Sequence, residues 1–281
     1  MTPELDLARQ AALAAAHPIR QFFQQDILIQ GKKPSDAVPG GSSYNLVTNA
    51  DTEAERVLIE SLRQVRPHDA ILGEESNAAD MAAEHLWIVD PIDGTNNFVH
   101  GIPHFAVSIG YYHRGVAQCG LVHNPITDDW YTAARGCGAF HNNRRASVAP
   151  HARLAEAMVA VGFYYDRGAL MEATLMAIRD LFRQNIRGIR RFGAASLDLC
   201  FVGCGLFSAF FEFELSYWDY AAGRLFVEEA GGRVTSCQGQ PVPAGKSSIL
   251  ATNGPLHDAV LQVIAPHERL GRQIQRGHVS G

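Results

Sequence analysis

The chain has 281 residues and an apolar fraction of 47%, which is ordinary for a globular protein with a sizeable core. Its formal net charge of −5 does not favour nucleic acid or an anionic membrane surface as the main partner. No apolar run approaches the length of a transmembrane helix, and the acidic residues 1–6 lack the basic region of a signal peptide.

The first part of the chain predicts two helices with a loop between them. Residues 5–30 are rich in Ala, Leu and Ile, which favours a helix that Pro18 kinks or splits. Residues 31–43, rich in Lys, Pro, Gly and Ser, predict a mobile loop. A second helix begins near Thr48, because Thr48 and Asp51 match a helix-capping pattern.

Further along, apolar patterns predict a series of strands, and then helices that alternate with short strands. The predicted strands, with a turn at 136–140, are residues 70–73, 86–89, 105–112, 116–123 and 130–134. The predicted helices are residues 169–184, 195–203 and 219–230. Since the pattern changes near residue 150 without a linker, we expect one domain over residues 1–281, with subregions of about 1–150 and 151–266 and a frayed polar tail at 267–281.

Clustered carboxylates follow the strand predicted at 86–89. Asp90 and Asp93 flank a proline where the chain leaves the sheet, and Gly94 removes a side chain where a ligand would approach the backbone. Carboxylates at a strand end can hold Mg²⁺, which prefers oxygen ligands. The structural alternative is an Asp-Pro-Asp-Gly turn, but that explains only part of the run at 87–98.

Four segments in register resemble the motifs of the inositol monophosphatase family, a family of Mg²⁺-dependent, lithium-sensitive phosphomonoesterases. They read LVTNAD at 46–51, ILGEES at 71–76, DPIDGT at 90–95 and WDYAAG at 218–223. The resemblance covers most of the chain. It implies a layered α/β fold of the sugar-phosphatase type, with alternating α-β-α-β-α layers.

The resemblance also implies a site for two to three Mg²⁺ ions. Glu74, Asp90 and the backbone carbonyl of Ile92 would bind a first ion. Asp90 would bridge to a second ion, which Asp93 and Asp219 complete, and Glu74 would help to hold a third ion and the nucleophilic water. Two metal ions about 3.5–4 Å apart can clamp both the entering and the leaving oxygen of a phosphate ester.

The remaining implied roles concern the water and the substrate. The Thr95 hydroxyl would orient the water, and Asp51 would polarise that hydroxyl. The backbone N–H groups of Gly94 and Thr95 would bind the phosphate. The substrate-binding residues that the resemblance implies are Asp93, Gly94, Thr95, Ala195, Glu212 and Asp219.

Two of these residues concern specificity. The alternation at 210–215 predicts a strand with Glu212 and Glu214 on one face, and by resemblance Glu212 accepts hydrogen bonds from substrate hydroxyls. The residues of the opposite face are Phe211, Phe213 and Leu215. Glu214 is typical of an exposed sheet residue. Ala195 would contact the substrate ring from a small-residue turn at 193–196, which is equally typical of an ordinary turn.

Each assignment has a structural alternative. Asp51 and Asp219 are also typical of helix caps. Glu74 is also typical of a solvated acidic turn, and Thr95 of a plain helix start. The joint occurrence of these residues in family order favours the functional interpretation.

The chain departs from the family pattern in two loops. Asn45 stands where the usual motif has aspartate, and Gly40 and Gly41 lie where many members have a lysine. The bulky stretch at 162–167 lies near the family's substrate rim and favours a substrate other than inositol phosphate.

The cysteines and histidines give no sign of a further metal site. The five cysteines are an odd number without the close pairs of a zinc site, which indicates reduced thiols and a cytoplasmic protein. The histidines, notably His100 and His104, are typical of loop or packing residues, and their spacing does not support zinc.

We therefore predict a Mg²⁺-dependent hydrolase that cleaves a small phosphate monoester with a metal-activated water. The favoured substrate is inositol monophosphate. Within the same fold, the alternatives are histidinol phosphate, fructose 1,6-bisphosphate and 3′-phosphoadenosine 5′-phosphate. An alternative of another class is a regulatory or scaffolding protein, favoured only by the basic residues at 269–276. The resemblance also implies a homodimer.

Overall fold

The computed structural model describes residues 2–23, 29–31, 46–76, 79–163 and 167–277. The helices are α1 (Pro3–Phe23), α2 (Asn49–Val65), α3 (Thr95–Val99), α4 (Ala169–Arg183), α5 (Ala195–Gly203), α6 (Tyr217–Glu229) and α7 (His257–Gly277). The strands are β1 (Ile29–Gly31), β2 (Leu46–Thr48), β3 (Ala70–Gly73), β4 (His85–Asp93), β5 (Ala106–His113), β6 (Val116–Asn124), β7 (Asp129–Ala134), β8 (Gly138–His141), β9 (Arg144–Arg145), β10 (Met158–Val161), β11 (Gly188–Arg190), β12 (Ala209–Leu215), β13 (Arg233–Thr235) and β14 (Ser247–Thr252).

Two large mixed sheets organise these elements. The seven-stranded sheet has the order β3-β4-β5-β6-β7-β8-β9, and only its β3–β4 pair is parallel among the described pairings. The five-stranded sheet has the order β11-β10-β12-β14-β13, with β10 parallel to both of its neighbours. Short strands β1 and β2 pair separately.

Helices and sheets alternate in layers, each closed by its own apolar cluster. Helices α1 and α2 cover one face of the seven-stranded sheet, where Leu58 packs in a cluster with Trp87. Helices α5 and α6 lie between the sheets around Tyr220, and α4 and α7 cover the outer face of the five-stranded sheet around Ile264. The predicted α-β-α-β-α layering is thus confirmed.

Helix α2 shows why this packing follows from sequence. Ala50, Ala54, Leu58 and Leu62 recur every four residues and are fully buried, so they form one continuous stripe toward β4. Asp51 and Glu55 border that stripe and are buried too. The same helix face that builds the core therefore carries two carboxylates toward the end of β4.

The prediction of a frayed tail is wrong for residues 267–277, since α7 continues through Pro266 to Gly277. Glu268 in this segment is 2% exposed and accepts hydrogen bonds from Arg272 (2.8 Å) and Gln238 (2.7 Å). Glu268 and Arg272 are thus paired with each other on the helix, and composition alone could not reveal this contact. Residues 278–281 lie outside the described part.

Other expectations need smaller corrections. Pro18 lies inside α1 and does not split it. Residues 138–140, predicted as part of a turn, belong to β8, because this strand pairs with strands on both sides. Several residues named above lie outside the described ranges: Gly40, Gly41 and Asn45 in one loop, and 164–166 in the other. Among the described helices, none combines the length and apolar character needed to cross a bilayer.

Candidate active site

Parallel pairing of β3 with β4 brings the first two carboxylates together. Gly73 pairs with Val89, so Glu74 leaves β3 beside Asp90 at the same edge of the sheet. The Glu74 backbone N–H donates to the carbonyl of Val89 at 3.2 Å. The two carboxyl groups lie within hydrogen-bonding reach of each other. Glu74 and Asp90, which the sequence analysis assigned to separate motifs, therefore belong to one site.

The strand end is irregular where the chemistry lies. Strand β4 continues to Asp93, beyond the predicted end at residue 89, but its register against β5 shifts between Asp90 and Asp93. Asp90 Oδ1 accepts a hydrogen bond from the backbone N–H of Ile92 at 3.0 Å. Gly94 follows at φ +98°, a left-handed conformation that favours glycine. The bend places both aspartates at the site.

Asp219 comes to the same place from the start of α6. It is the third residue of the helix, and its Oδ2 accepts the backbone N–H of Ser216 at 2.7 Å in a capping box. The capping alternative is therefore correct in part, but Asp219 also lies in a cluster with Asp90 and Asp93. One carboxylate oxygen of each lies within 4.8 Å of the others.

Burial makes this concentration of charge unfavourable without a cation. Burial and the charges of Glu74, Asp93 and Asp219 raise the pKa of Asp90 well above its usual range. Burial also raises the pKa of Asp93 to about 6, against the lowering effect of its hydrogen bonds to Ser196. Asp90 Oδ2 is buried and has no hydrogen-bond partner within the described residues. An all-oxygen donor set of this kind fits a hard divalent cation.

Thr95 connects this carboxylate cluster to α2. Its hydroxyl lies 3.2 Å from Asp51 Oδ1 and 3.1 Å from the carbonyl oxygen of Ile92, and both can accept its proton. Asp51 is fully buried at the start of α2. The Ile92 carbonyl, Thr95 and Asp51 are therefore brought together by these contacts.

Asp93 is hydrogen-bonded to the start of α5. Its oxygens accept the backbone N–H groups of Ala195 (3.3 Å) and Ser196 (2.7 Å) and the Ser196 hydroxyl (2.5 Å). This arrangement brings Ala195, an implied substrate contact, next to a candidate metal ligand. No sequence signal identified Ser196, because Asp93 is distant from it in the chain.

Glu212 lies near these acids in the middle of β12, and it is 6% exposed. Burial and the charge of Asp219 raise its pKa well above the usual range, against the opposing charge of Arg191. A Cβ atom on Gly162 would lie only 1.7 Å from Glu212 Oε2, so the carboxylate fills the space of the missing side chain. Any larger residue at 162 would displace Glu212.

The face predicted for the neighbouring residues is wrong in one respect. A register shift between Glu212 and Leu215 puts Leu215 in the cluster between the sheets, whereas Phe211 and Phe213 pack in the outer cluster. Glu214, expected to be exposed, is 17% exposed because its carboxylate pairs with Lys246 and Arg272.

Sequence reasoning also missed Glu55, which holds the segment that carries Glu74. Its two oxygens accept the backbone N–H groups of Glu75 (2.9 Å) and Ser76 (2.8 Å). A Cβ on Gly73 would lie 2.5 Å from the Glu55 carboxylate, so glycine makes room for it. The signal was the spacing of Asp51 and Glu55, which lie one helical turn apart on α2.

Comparison with known proteins shows the family of this chain. A sequence model of the inositol monophosphatase family matches residues 1–269. The chain belongs to this family. It is 38% identical over 273 residues to the Nus factor SuhB of Pseudomonas aeruginosa (95% of this chain, 97% of the relative). It is 40% identical over 258 residues to an inositol-1-monophosphatase of Caulobacter vibrioides (90% and 97%).

A solved structure agrees with the sequence comparisons. The inositol monophosphatase (IMPase) of Thermotoga maritima superposes with a TM-score of 0.84 at 31% sequence identity, covering 95% of this chain and 98% of that one. The inositol monophosphatase family consists of metal-dependent phosphatases that act on small phosphorylated substrates. The chain is therefore a phosphatase of this family, and its candidate metal centre is the acidic cluster described above.

Proposed function

We propose that this protein hydrolyses inositol monophosphate or a closely similar polyol phosphate in a Mg²⁺-dependent reaction. The convergence of Asp90, Asp93 and Asp219 within 4.8 Å is the observation that carries the proposal. Glu74 and the Ile92 carbonyl complete an oxygen donor set for two to three ions. When bound, such ions supply charge neutralisation at the phosphate and lower the pKa of a water molecule.

The protein's own groups would position the reactants. Thr95 donates its proton to Asp51 and directs a lone pair to the attacking water, and Glu74 accepts a hydrogen bond from the same water. The backbone N–H groups of Gly94 and Thr95 face the phosphate. Support for these roles comes from the 3.2 Å contact between Thr95 and Asp51 and from the reach of Glu74 to Asp90.

We assign the polyol end of the substrate to Glu212 and Ala195. Glu212 is a buried carboxylate whose pKa responds to Asp219, so it lies close enough to the cluster for one small molecule to contact both. Ala195 presents no bulk beside Asp93. A buried carboxylate acceptor beside the cluster favours a substrate with hydroxyl donors near its phosphate, as inositol monophosphate has.

A panel of phosphate esters tests the substrate. Inositol 1-phosphate, the three alternatives and p-nitrophenyl phosphate are assayed with Mg²⁺ and with a chelator, for the wild type, Glu212→Gln and the control Glu214→Gln. We expect Glu212→Gln to lower kcat/KM for inositol phosphate by roughly 10–100-fold, as for a charged hydrogen bond of about 1.5–3 kcal/mol. The nitrophenyl ester and the control should change little. Equal losses on every ester would remove the support for a polyol.

The same assay separates catalysis from the regulatory alternative. The relative named a Nus factor favours a regulatory role, since its sequence matches over nearly its full length. If this chain hydrolyses none of the esters while Mg²⁺ binds, the regulatory role becomes the better interpretation. Turnover that stops with the chelator supports the phosphatase.

Four further properties are proposed from the sequence and from family membership. We expect one catalytic domain in a cytoplasmic homodimer, which light scattering at micromolar concentration would report as twice the monomer mass.

Millimolar Li⁺ should inhibit the enzyme by occupying the position between Asp93 and Asp219. An active enzyme that is indifferent to Li⁺ would indicate a changed loop, consistent with glycines at 40 and 41.

A further inference from the structure

A second group of metal-ligating side chains lies at the far end of β4. His85 begins β4 and pairs directly with His113, the last residue of β5. Their rings stack with centroids 4.9 Å apart and an angle of 15° between the planes. Glu84 precedes His85, and one ligand atom each of Glu84, His85 and His113 lies within 4.8 Å of the others.

The backbone holds these residues in a defined frame. The Arg114 N–H donates to the Glu84 carbonyl at 2.7 Å, which closes the strand pair at this end. His113 Nε2 lies 3.4 Å from Glu84 Oε1. Two ligands of a tetrahedral Zn²⁺ with bonds of about 2.0–2.2 Å lie roughly 3.3–3.6 Å apart. The pair already has the separation that such an ion requires.

His85 has the outer hydrogen bond that is typical of a metal-bound histidine. Its Nδ1 lies 2.7 Å from the hydroxyl of Tyr111, which is 4% exposed. When Nδ1 donates its proton to this oxygen, the lone pair of the ring is on Nε2. Such contacts fix the tautomer and the orientation of metal-bound histidines.

We propose that Glu84, His85 and His113 form a surface site for a divalent transition metal such as Zn²⁺. Two imidazoles and a carboxylate suit Zn²⁺, Co²⁺, Ni²⁺ or Cu²⁺, whereas Mg²⁺ prefers oxygen ligands only. The side chains of Glu84 and His113 are 54% and 40% exposed, so water can complete the coordination.

The proposed site is separate from the phosphatase centre. His85 and Asp90 lie on the same strand, and at about 3.3 Å per residue their Cα atoms are roughly 16 Å apart. Arg114 opposes the ion, because its Nε and Nη2 donate to Glu84 Oε1 at 3.1 and 2.8 Å. The Arg114→Gln substitution removes this competitor and should strengthen metal binding.

The test is a titration of the full-length protein with Co²⁺, followed by visible absorption, in excess Mg²⁺ to occupy the carboxylate centre. We expect one Co²⁺ site in the wild type and in Asp90→Asn. His113→Ala and Glu84→Ala should each weaken it by about tenfold or more, and Tyr111→Phe by roughly 10–100-fold. His141→Ala is the matched control. His141 also contacts an acidic residue of a strand, but it does not belong to the group of Glu84, His85 and His113.

Two results would overturn the proposal. One is Co²⁺ binding that is unchanged in both His113→Ala and Glu84→Ala. The other is binding that disappears in Asp90→Asn, which would assign the ion to the carboxylate centre. Thermal unfolding confirms that the variants are folded, and both substituted side chains are solvent-accessible. Phosphatase activity in Mg²⁺ should not change in these two variants.

Discussion

At the residue scale, the most consequential side chain is Asp90. The charges of Glu74, Asp93 and Asp219 all act on it, and its Oδ2 has no hydrogen-bond partner among the described residues. We expect Asp90→Asn to lower kcat by at least about 10²–10³, the loss on removal of one preorganised electrostatic contact. Steady-state kinetics with Mg²⁺ titration measures this. Near-normal kcat in a folded variant would contradict the metal assignment.

Glu55 acts through its neighbours, since its contacts are with backbone and not with the reacting groups. In Glu55→Gln only one side-chain oxygen remains as an acceptor. The new NH₂ group would face one of the two backbone N–H groups that Glu55 accepts in the wild type. We expect weaker Mg²⁺ activation, because the segment carrying Glu74 loses its support, and a stability loss of roughly 1–3 kcal/mol.

The control for this prediction lies on the same helix. Glu60 is exposed and pairs only with Arg56 among the described contacts, so Glu60→Gln should change neither property. The decisive measurement is the Mg²⁺ concentration for half-maximal activity at saturating substrate. If it is the same in both variants, Glu55 stabilises the fold and does not position Glu74.

At the element scale, each helix near the site has a second role in packing. Helix α2 buries an apolar stripe and delivers Asp51 and Glu55, while the start of α5 receives Asp93 and the start of α6 contributes Asp219. The donors belong to separate elements, so they are distant in the chain but close in space. A shift of one helix would therefore alter the site.

Helix α7 gives an element-scale prediction. Arg272 pairs with Glu268, which is 2% exposed, and also donates to the carbonyl of Phe213. Arg272→Met leaves a buried carboxylate without its cation and should lower the free energy of unfolding by roughly 3–5 kcal/mol. Arg269→Met, on the same helix but exposed, should change it by less than about 0.5 kcal/mol. Urea unfolding of both variants decides whether α7 is integral to the fold.

At the scale of the whole molecule, buried histidines contribute to how stability depends on pH. Burial lowers the pKa of His123 and of His257 to about 4. The two ring nitrogens of His257 contact the hydroxyls of Thr235 and Thr252, which satisfy the neutral ring. In the unfolded chain the pKa returns to about 6.5, so the unfolded state binds more protons between these values.

The contribution of these two histidines to the free energy of unfolding should therefore be fully present above about pH 6.5 and be lost as the pH drops toward 4. Each histidine contributes on the order of 1–3 kcal/mol to this fall. His257→Gln should flatten the curve measured by urea unfolding at several pH values. His141→Gln, in which a half-buried ring beside Asp129 is replaced, serves as control. A curve that His257→Gln leaves unchanged would contradict the assignment.

The sequence alone determined the family, the layered fold and most of the acidic site. The motifs at 71–76, 90–95 and 218–223 are local runs, in which strand ends and helix starts sit next to their carboxylates, so pattern and resemblance were sufficient. The central helices and strands were predicted for the same reason, since apolar periodicity records which face is buried.

Only the tertiary structure decided the contacts between distant residues. The hydrogen bonds of Glu55 to the segment after Gly73, and of Ser196 to Asp93, depend on how helices dock against sheets. The pairing of His85 with His113 depends on strand register, so sequence spacing gave no indication of it. Residues 267–277, which composition had predicted as part of a frayed tail, continue α7, and Glu268 is buried there in contact with Arg272 and Gln238. Sequence patterns report local periodicity, whereas these contacts are set by packing between elements far apart in the chain.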